Sequence, residues 1–241
     1  MNEAPHRTAV RVENVVKSFA AGDSRTFALK GATLEARFGE LLMIVGPSGC
    51  GKTTLLSIIC GTLNCDEGAV TVFDHDLRAM KDGAITRFRC KNIGFIFQQF
   101  NLIPTLTAVE NASVPLVLNG IRGPEAERRA GEILAEVGIG EKRESYPNQL
   151  SGGQQQRVAI SRALVHEPRL IICDEPTASL DAATGQKTME LLKSSALHPD
   201  RCVIVVSHDN RIYHFADRIA EMEDGRVTGV FDDPKKYHPV L

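Results

Sequence analysis

The sequence predicts an α/β fold, a mostly parallel sheet covered by helices, with an all-helical subdomain inserted into it. Three observations predict it. Short continuous apolar runs recur at Leu41–Val45, Ile93–Phe97, Leu170–Cys173 and Val203–Val206, the pattern of strands buried on both faces. Each run gives way to glycine or polar residues, and open parallel sheets hold their working side chains beyond the carboxyl ends of the strands. From about 99 to 163 such runs are replaced by helical composition and period.

Taken in order, Met1 to Arg7 lacks the apolar region of a secretion signal. Ala9 to Val15 alternates in part and Phe27 to Glu35 loosely, so both read as strands, with a turn at Ala20–Ser24. Phe19 follows the first of them. Leu41–Val45 runs directly into Gly46-Pro47-Ser48-Gly49-Cys50-Gly51-Lys52-Thr53, and Thr53 through Cys60 reads as a helix stopped by Gly61. Ile93–Phe97 ends in Gln98-Gln99. Leu106–Leu118, Glu125–Val137 and Gln154–Val165 carry the helical period. The borders of this helical part fall near Gln98 and Glu167-Pro168. The expected division is a core of about 1–98 and 164–241 around a helical subdomain of about 99–163. Leu170–Cys173 ends in Asp174-Glu175, and Val203–Val206 ends in Ser207-His208-Asp209. A helix through Thr184 and Leu191 lies between them, and Asp232-Asp233-Pro234-Lys235-Lys236 opens a polar terminus.

A chain of 241 residues buries a sizeable core without staples. Its 28 basic and 30 acidic residues nearly balance, at a net charge of -2, which gives no support to a nucleic-acid or anionic-membrane surface. The six cysteines (50, 60, 65, 90, 173 and 202) show no zinc-type pairing and read as reduced thiols. Cys50 has a sharper alternative as a reactive thiol, because loop N–H groups and a lysine lower a thiol pKa. No run approaches the roughly eighteen apolar residues of a membrane span. Any tie to a membrane is therefore expected to come through a partner chain.

Residues 46–53 have the form G-x-x-x-x-G-K-[ST] of a phosphate-binding loop, placed between strand and helix as that motif requires. Gly46, Gly49 and Gly51 admit backbone shapes that side chains block, so successive N–H groups, through Thr54, can point at one anion. Lys52 brings a point charge to the β- and γ-phosphates, Thr53 a hydroxyl for Mg²⁺, and the helix its positive end. Asp174 and Glu175, alone, would read as solvated carboxylates. After an apolar strand and beside a phosphate loop, they resemble the second nucleotide motif of proteins with such a loop, which implies Asp174 at Mg²⁺ and Glu175 as general base for the attacking water.

About a hundred residues beyond the loop stands Leu150-Ser151-Gly152-Gly153-Gln154. The four fixed loop positions arise by chance in roughly one chain in a hundred of this length, and the five letters LSGGQ in on the order of one in several thousand. The pair resembles the ATP-binding-cassette (ABC) family, and the likeness extends from Val10 to about Val227. The resemblance implies a P-loop NTPase core with a RecA-like, mostly parallel sheet, N-terminal antiparallel strands and an inserted helical subdomain. It implies ATP and Mg²⁺ as ligands, and a head-to-tail dimer in which Ser151, Gly152, Gly153 and Gln154 of one copy complete the ATP site of the other. It places Ser179-Leu180-Asp181 at the dimer seam, where Asp181 also suits a helix N-cap. His208 is implied at the γ-phosphate, beside Glu175 and the water; Gln98 at Mg²⁺ and the water, as the hinge of the helical subdomain. Phe19 is implied as the ring stacked on adenine, at a position where the family often has Tyr. Such stacking is worth roughly 1–3 kcal/mol and reads no base edge.

Within the family, Asn92 to Pro104 and Pro147 to Arg157 most resemble the ATPases of macrolide-exporter and lipoprotein-release systems, the MacB/LolD type. That likeness implies a separate membrane permease, received around residues 99–110 with Leu102, Ile103 and Leu106 as apolar contacts. It also implies a place on the cytoplasmic face of the inner membrane. Core packing is the plain alternative for those three side chains. A non-transport cassette, such as a cell-wall regulator or an iron–sulfur assembly ATPase, carries the same motifs. DNA-maintenance ATPases do too, but they place a long coiled coil between the motifs, and sustained heptads are missing from this sequence.

Overall fold

The computed structural model describes residues 7–21, 24–196 and 198–237. The expected reading of residues 1–6, part of the expected turn at 20–24, and the last four residues of the terminus lie outside the described residues. In chain order the elements are β1 (Thr8–Ala21), β2 (Ser24–Arg37), β3 (Leu41–Val45), α1 (Lys52–Ile59), β4 (Glu67–Val72), β5 (His75–Asp76) and α2 (Asp82–Asn92). Then come β6 (Ile93–Ile96), α3 (Ala108–Leu118), α4 (Gly123–Glu136), α5 (Gly152–Leu164), β7 (Leu170–Asp174), α6 (Ala182–Ala196), β8 (Cys202–Val206), β9 (Arg218–Glu223) and β10 (Arg226–Phe231).

Two sheets form. The larger has the order β10-β9-β3-β8-β7-β6, parallel from β9 to β6 and antiparallel only at the β10 edge. The smaller, β2-β1-β4-β5, is antiparallel. The continuous apolar runs are explained by the two faces of the larger sheet. Leu42, Ile44, Ile172 and Ile204 point into a core shared with the smaller sheet and α1. Leu41, Met43, Val45, Ile171 and Val203 point the other way, onto Met189 and Leu192 of α6 and Ile160 of α5. With period-two side chains and both faces covered, every position in β3 is apolar, and all five are fully buried.

A third cluster holds α3, α4 and α5 together through Ala112, Leu116, Ala126, Ala130, Leu134 and Val158. Thus α5 has two apolar faces, Val158 toward the helices and Ile160 and Ala163 toward the sheet. Its start is fixed by a capping box: the Ser151 hydroxyl accepts from Gln154 N–H while the Gln154 side chain accepts from Ser151 N–H. The α3 helix begins with the same device at Thr107 and Glu110.

The hairpin β1–β2 is longer than the alternation predicts, because register shifts between Val12 and Ser18 break the pattern without ending the pairing. Phe19 consequently lies within β1, paired with Thr26, rather than beyond it. The helix after LSGGQ begins at Gly152, two residues before the predicted Gln154. The strands β4, β5, β9 and β10 and the helix α2 were not expected. β10 alternates between exposed and half-buried positions, and α2 buries only Ile85 and Phe88, so neither carries a strong periodic signal.

Candidate functional site

Four strand ends meet at one cavity of about 290 Å³. β3 delivers the glycine loop, β6 delivers Gln98, β7 delivers Asp174 and Glu175, and β8 delivers His208. Ser48, Gly49, Gly51, Lys52, Thr53 and Thr54 line it with them, together with Ala28 of β2, which sequence reading did not single out.

The loop needs its glycines for space as well as for conformation. Gly46, Gly49 and Gly51 all have positive φ, of 149°, 80° and 106°. A side chain at Gly46 would collide with the Met222 carbonyl of β9, and one at Gly51 with the Ala28 carbonyl of β2. Gly51 is also the left-handed residue from which α1 starts. Lys52 is almost fully buried, and its Nζ donates to the carbonyls of Gly46 and Pro47 at 2.8 Å each. The cation is thereby folded over the loop whose N–H groups α1 leaves unpaired. Cys50 is buried, with Sγ 3.7 Å from Lys52 Nζ.

Opposite the loop, Thr53 Oγ1 donates to Asp174 Oδ1 at 3.2 Å. Burial lifts the Asp174 carboxyl above its ordinary pKa; the Thr53 hydrogen bond opposes this, the Glu175 charge adds to it, and Lys52 opposes it. Hard oxygen donors so placed, Thr53 and Asp174 with the Gln98 amide on the same cavity, fit Mg²⁺. The glycine cradle and Lys52 fit a triphosphate.

Glu175 has φ of +50°, an uncommon conformation for a residue with a side chain. Its N–H donates to the Val206 carbonyl at 3.0 Å, which ties it to the end of β8. The carboxylate then bridges two residues of the next strand end. Oε1 lies 2.7 Å from His208 Nδ1, and Oε2 accepts from Ser207 Oγ at 3.3 Å. Ser207 is wholly buried and its Oγ also accepts from Asp209 N–H at 3.0 Å. Sequence reading passed over Ser207; its signal is only its place between strand and histidine. The carboxylate is 12% exposed and His208 is 58% exposed, so the pair has a fixed inner member and an open outer one. Strain of about 1–3 kcal/mol at a residue held by three hydrogen bonds is what functional positions carry.

The other predicted residues lie elsewhere. Phe19 does not line the cavity; its ring is 45% exposed, with Lys17 Nζ 5.7 Å from the centroid. Ser151 caps α5 and Gly152, Gly153 and Gln154 begin it; the two glycines face the segment after Glu175, where a Cβ at Gly152 would lie 3.8 Å from Ser179 O and one at Gly153 would press on the Thr184 side chain. Asp181 accepts from Thr184 N–H at 3.0 Å and from its hydroxyl at 2.6 Å, bonds that hold its carboxyl below the ordinary pKa. Gln156 of α5, also passed over, is buried and donates to Pro176 O at 2.9 Å. Of the three apolar side chains expected at a partner surface, Leu102 packs on the α3–α5 cluster, Leu106 is half-buried and Ile103 is exposed. None of the three lines the apolar groove of about 340 Å³ that is walled by Ile93, Phe95, Phe97, Pro115 and Leu118.

Comparison with known proteins agrees with this geometry. The family model described as ABC transporter matches residues 29–178. The ABC transporter ATP-binding protein MJ0796 of Methanocaldococcus jannaschii is 43% identical over 222 residues, 90% of this chain and 94% of that protein. A dimeric structure of the MJ0796 cassette in a post-hydrolysis state, bound to ADP and Pi, superposes with a TM-score of 0.86 at 42% identity, covering 92% of this chain and 97% of that one. CbiO1 of Clostridium perfringens, part of the ABC transporter complex cbiONQ, superposes with a TM-score of 0.83 at 29% identity, covering 95% and 90%. Similarity over nearly the whole chain, and four strand ends gathered on a phosphate loop, lead to one conclusion: the chain belongs to the ABC transporter family, as an ATP-binding and ATP-hydrolysing cassette.

Proposed function

We propose that the chain is the motor subunit of a membrane transporter, working as a head-to-tail homodimer that ATP closes and hydrolysis opens. The observation that carries this reading is the separation of two half-sites within one chain. The loop, Asp174, Glu175 and His208 share a cavity, whereas Ser151 to Gln154 and Asp181 lie outside it, the two glycines against Ser179 and Thr184. The half-buried start of α5 behind its exposed cap Ser151, with its glycines and positive helix end, supports a second copy's triphosphate as its ligand. The dimeric form of MJ0796 supports the same arrangement.

In this reading Gly46, Pro47, Ser48, Gly49, Cys50, Gly51, Lys52, Thr53 and Thr54 bind the phosphates, and Phe19 stacks on the base. Thr53, Asp174 and Gln98 hold Mg²⁺. When bound, Mg²⁺ neutralises charge on the β- and γ-phosphate oxygens. Glu175, fixed by Ser207 and His208, orients the water and takes its proton as the water oxygen bonds to the γ-phosphorus and the bond to ADP breaks. His208 offers its open side to the γ-phosphate. Residues of about 99–163 move as a helical subdomain hinged at Gln98.

The groove walled by Ile93, Phe95, Phe97, Pro115 and Leu118 suits an apolar helix of a permease, and the exposed Ile103 of the 99–110 segment offers a further apolar contact. No described helix is long and apolar enough to cross a membrane, so membrane work calls for such a partner at the cytoplasmic face. Motif wording around Asn92–Pro104 favours the macrolide-exporter and lipoprotein-release branch. A non-transport cassette is the second reading, and pull-down of an integral membrane partner followed by a transport or extraction assay separates the two.

The decisive test of the clamp is the Glu175→Gln variant. We expect ATP binding to persist while turnover falls by about 10²–10⁴-fold, the usual contribution of a general base. Sedimentation should give a dimer with ATP and a monomer with ADP. The same mass under both conditions would rule out the clamp.

A further inference from the structure

Just past Gln98 the backbone turns through two consecutive left-handed residues, Phe100 with φ of 59° and Asn101 with φ of 47°. Neither is glycine, and each such residue carries strain. Both carbonyls of this turn are held by one side chain. Arg162 of α5 donates from Nη1 to Asn101 O at 2.6 Å and from Nη2 to Phe100 O at 2.7 Å. Arg162 is half-buried, and burial lowers its pKa. Among the described residues it makes no ion pair. A desolvated cation and a doubly strained turn are two costs at one point, beside the one predicted site residue that β6 delivers. The same arginine also walls the apolar groove with Phe97 and Leu118.

We propose that Arg162 is a positioning residue for Gln98. From the helix that LSGGQ begins, it clamps the Phe100-Asn101 turn and so sets where the Gln98 amide stands over the phosphate loop. A helix seated in the groove touches that clamp directly, so docking and the site share one guanidinium. The inference rests on the reading of Gln98 as a Mg²⁺ ligand, and its test separates the two.

Lysine at 162 keeps the charge but offers a single point donor in place of the planar fork. For Arg162→Lys we expect kcat to fall about tenfold, as for a lost hydrogen bond to a charged group, with a raised half-maximal Mg²⁺ concentration and little change in KM for ATP. Amide hydrogen exchange at residues 99–102 should quicken without nucleotide or metal present. Adding Asn101→Gly should restore most of the rate, since glycine takes positive φ without strain. Unchanged exchange in Arg162→Lys, or a lost rate that Asn101→Gly does not restore, overturns the clamp. If Gln98→Ala leaves the Mg²⁺ dependence untouched, the Gln98 reading fails, and exchange alone then judges the clamp. Should Arg162→Lys not fold, the double variant replaces it in every comparison. If that also fails to fold, the role of Arg162 is purely structural and the proposal falls.

Discussion

Asp174 and Glu175 are neighbours with opposite demands on their surroundings. Glu175 is held by Ser207, His208 and the Val206 carbonyl, whereas burial beside the loop raises the Asp174 pKa. A carboxyl with a raised folded-state pKa holds its proton more tightly folded than unfolded. Its contribution to stability therefore grows as pH falls through the folded pKa, and at neutral pH the ionised group is a net cost. Asp174→Asn should raise Tm at neutral pH by a few degrees while abolishing Mg²⁺-dependent hydrolysis. The gap in Tm should close on acidification, and thermal scans across pH check it. A lower Tm at neutral pH would show that Asp174 earns its place structurally. Both acids were legible in the sequence because they follow an apolar run. Ser207 was not, because a serine after a strand looks like any other, and its role exists only through the Glu175 carboxylate brought by another strand.

At the scale of elements, α5 carries three tasks at once. Its first turn is capped by Ser151, its middle joins the helical cluster to the sheet, and Arg162 near its end holds the turn after Gln98. Ser151 thus has a local duty and a proposed duty in trans, which different substitutions separate. Aspartate is as good an N-cap as serine, but adds a negative charge facing the partner's triphosphate. Ser151→Asp should leave Tm nearly unchanged while ATP-dependent dimerisation and turnover collapse. Ser151→Ala should lose about 1 kcal/mol of helix stability instead, with the milder loss of turnover. Calorimetry and steady-state ATPase assays distinguish them. Helices α3 to α5 were legible from period and composition, whereas β9 and β10 were not. An edge strand such as β10, with half its residues exposed, gives the sequence little contrast to show.

Across the whole molecule, Arg218 ties the pieces together. It is buried, and donates from Nε to Asp232 Oδ1 at 2.7 Å, from Nη1 to Glu40 Oε1 at 3.1 Å, and from Nη1 to the Glu35 carbonyl at 3.2 Å. It therefore links the antiparallel hairpin, the entry to β3 and the far edge of the larger sheet. Arg218→Ala leaves the buried Glu40 carboxylate without its guanidinium, with only the Arg37 N–H bonded to it, and should cost about 3–5 kcal/mol, whereas Arg218→Met with Glu40→Met should be close to neutral. Urea unfolding measures both. The fold class follows from patterns within short windows of sequence, but this network joins residues from both ends of the chain and has no local signature. The phosphate loop has the same long reach. Its Gly46 lies against the Met222 carbonyl, and Cys50 O accepts from Gly225 N–H at 3.0 Å. A ribosome adding about 5–20 residues per second makes the loop on the order of 10 s before it makes that wall. The nascent chain thus carries the complete motif long before the cradle that shapes it, and tight nucleotide capture marks a polypeptide whose β9 and β10 have been made.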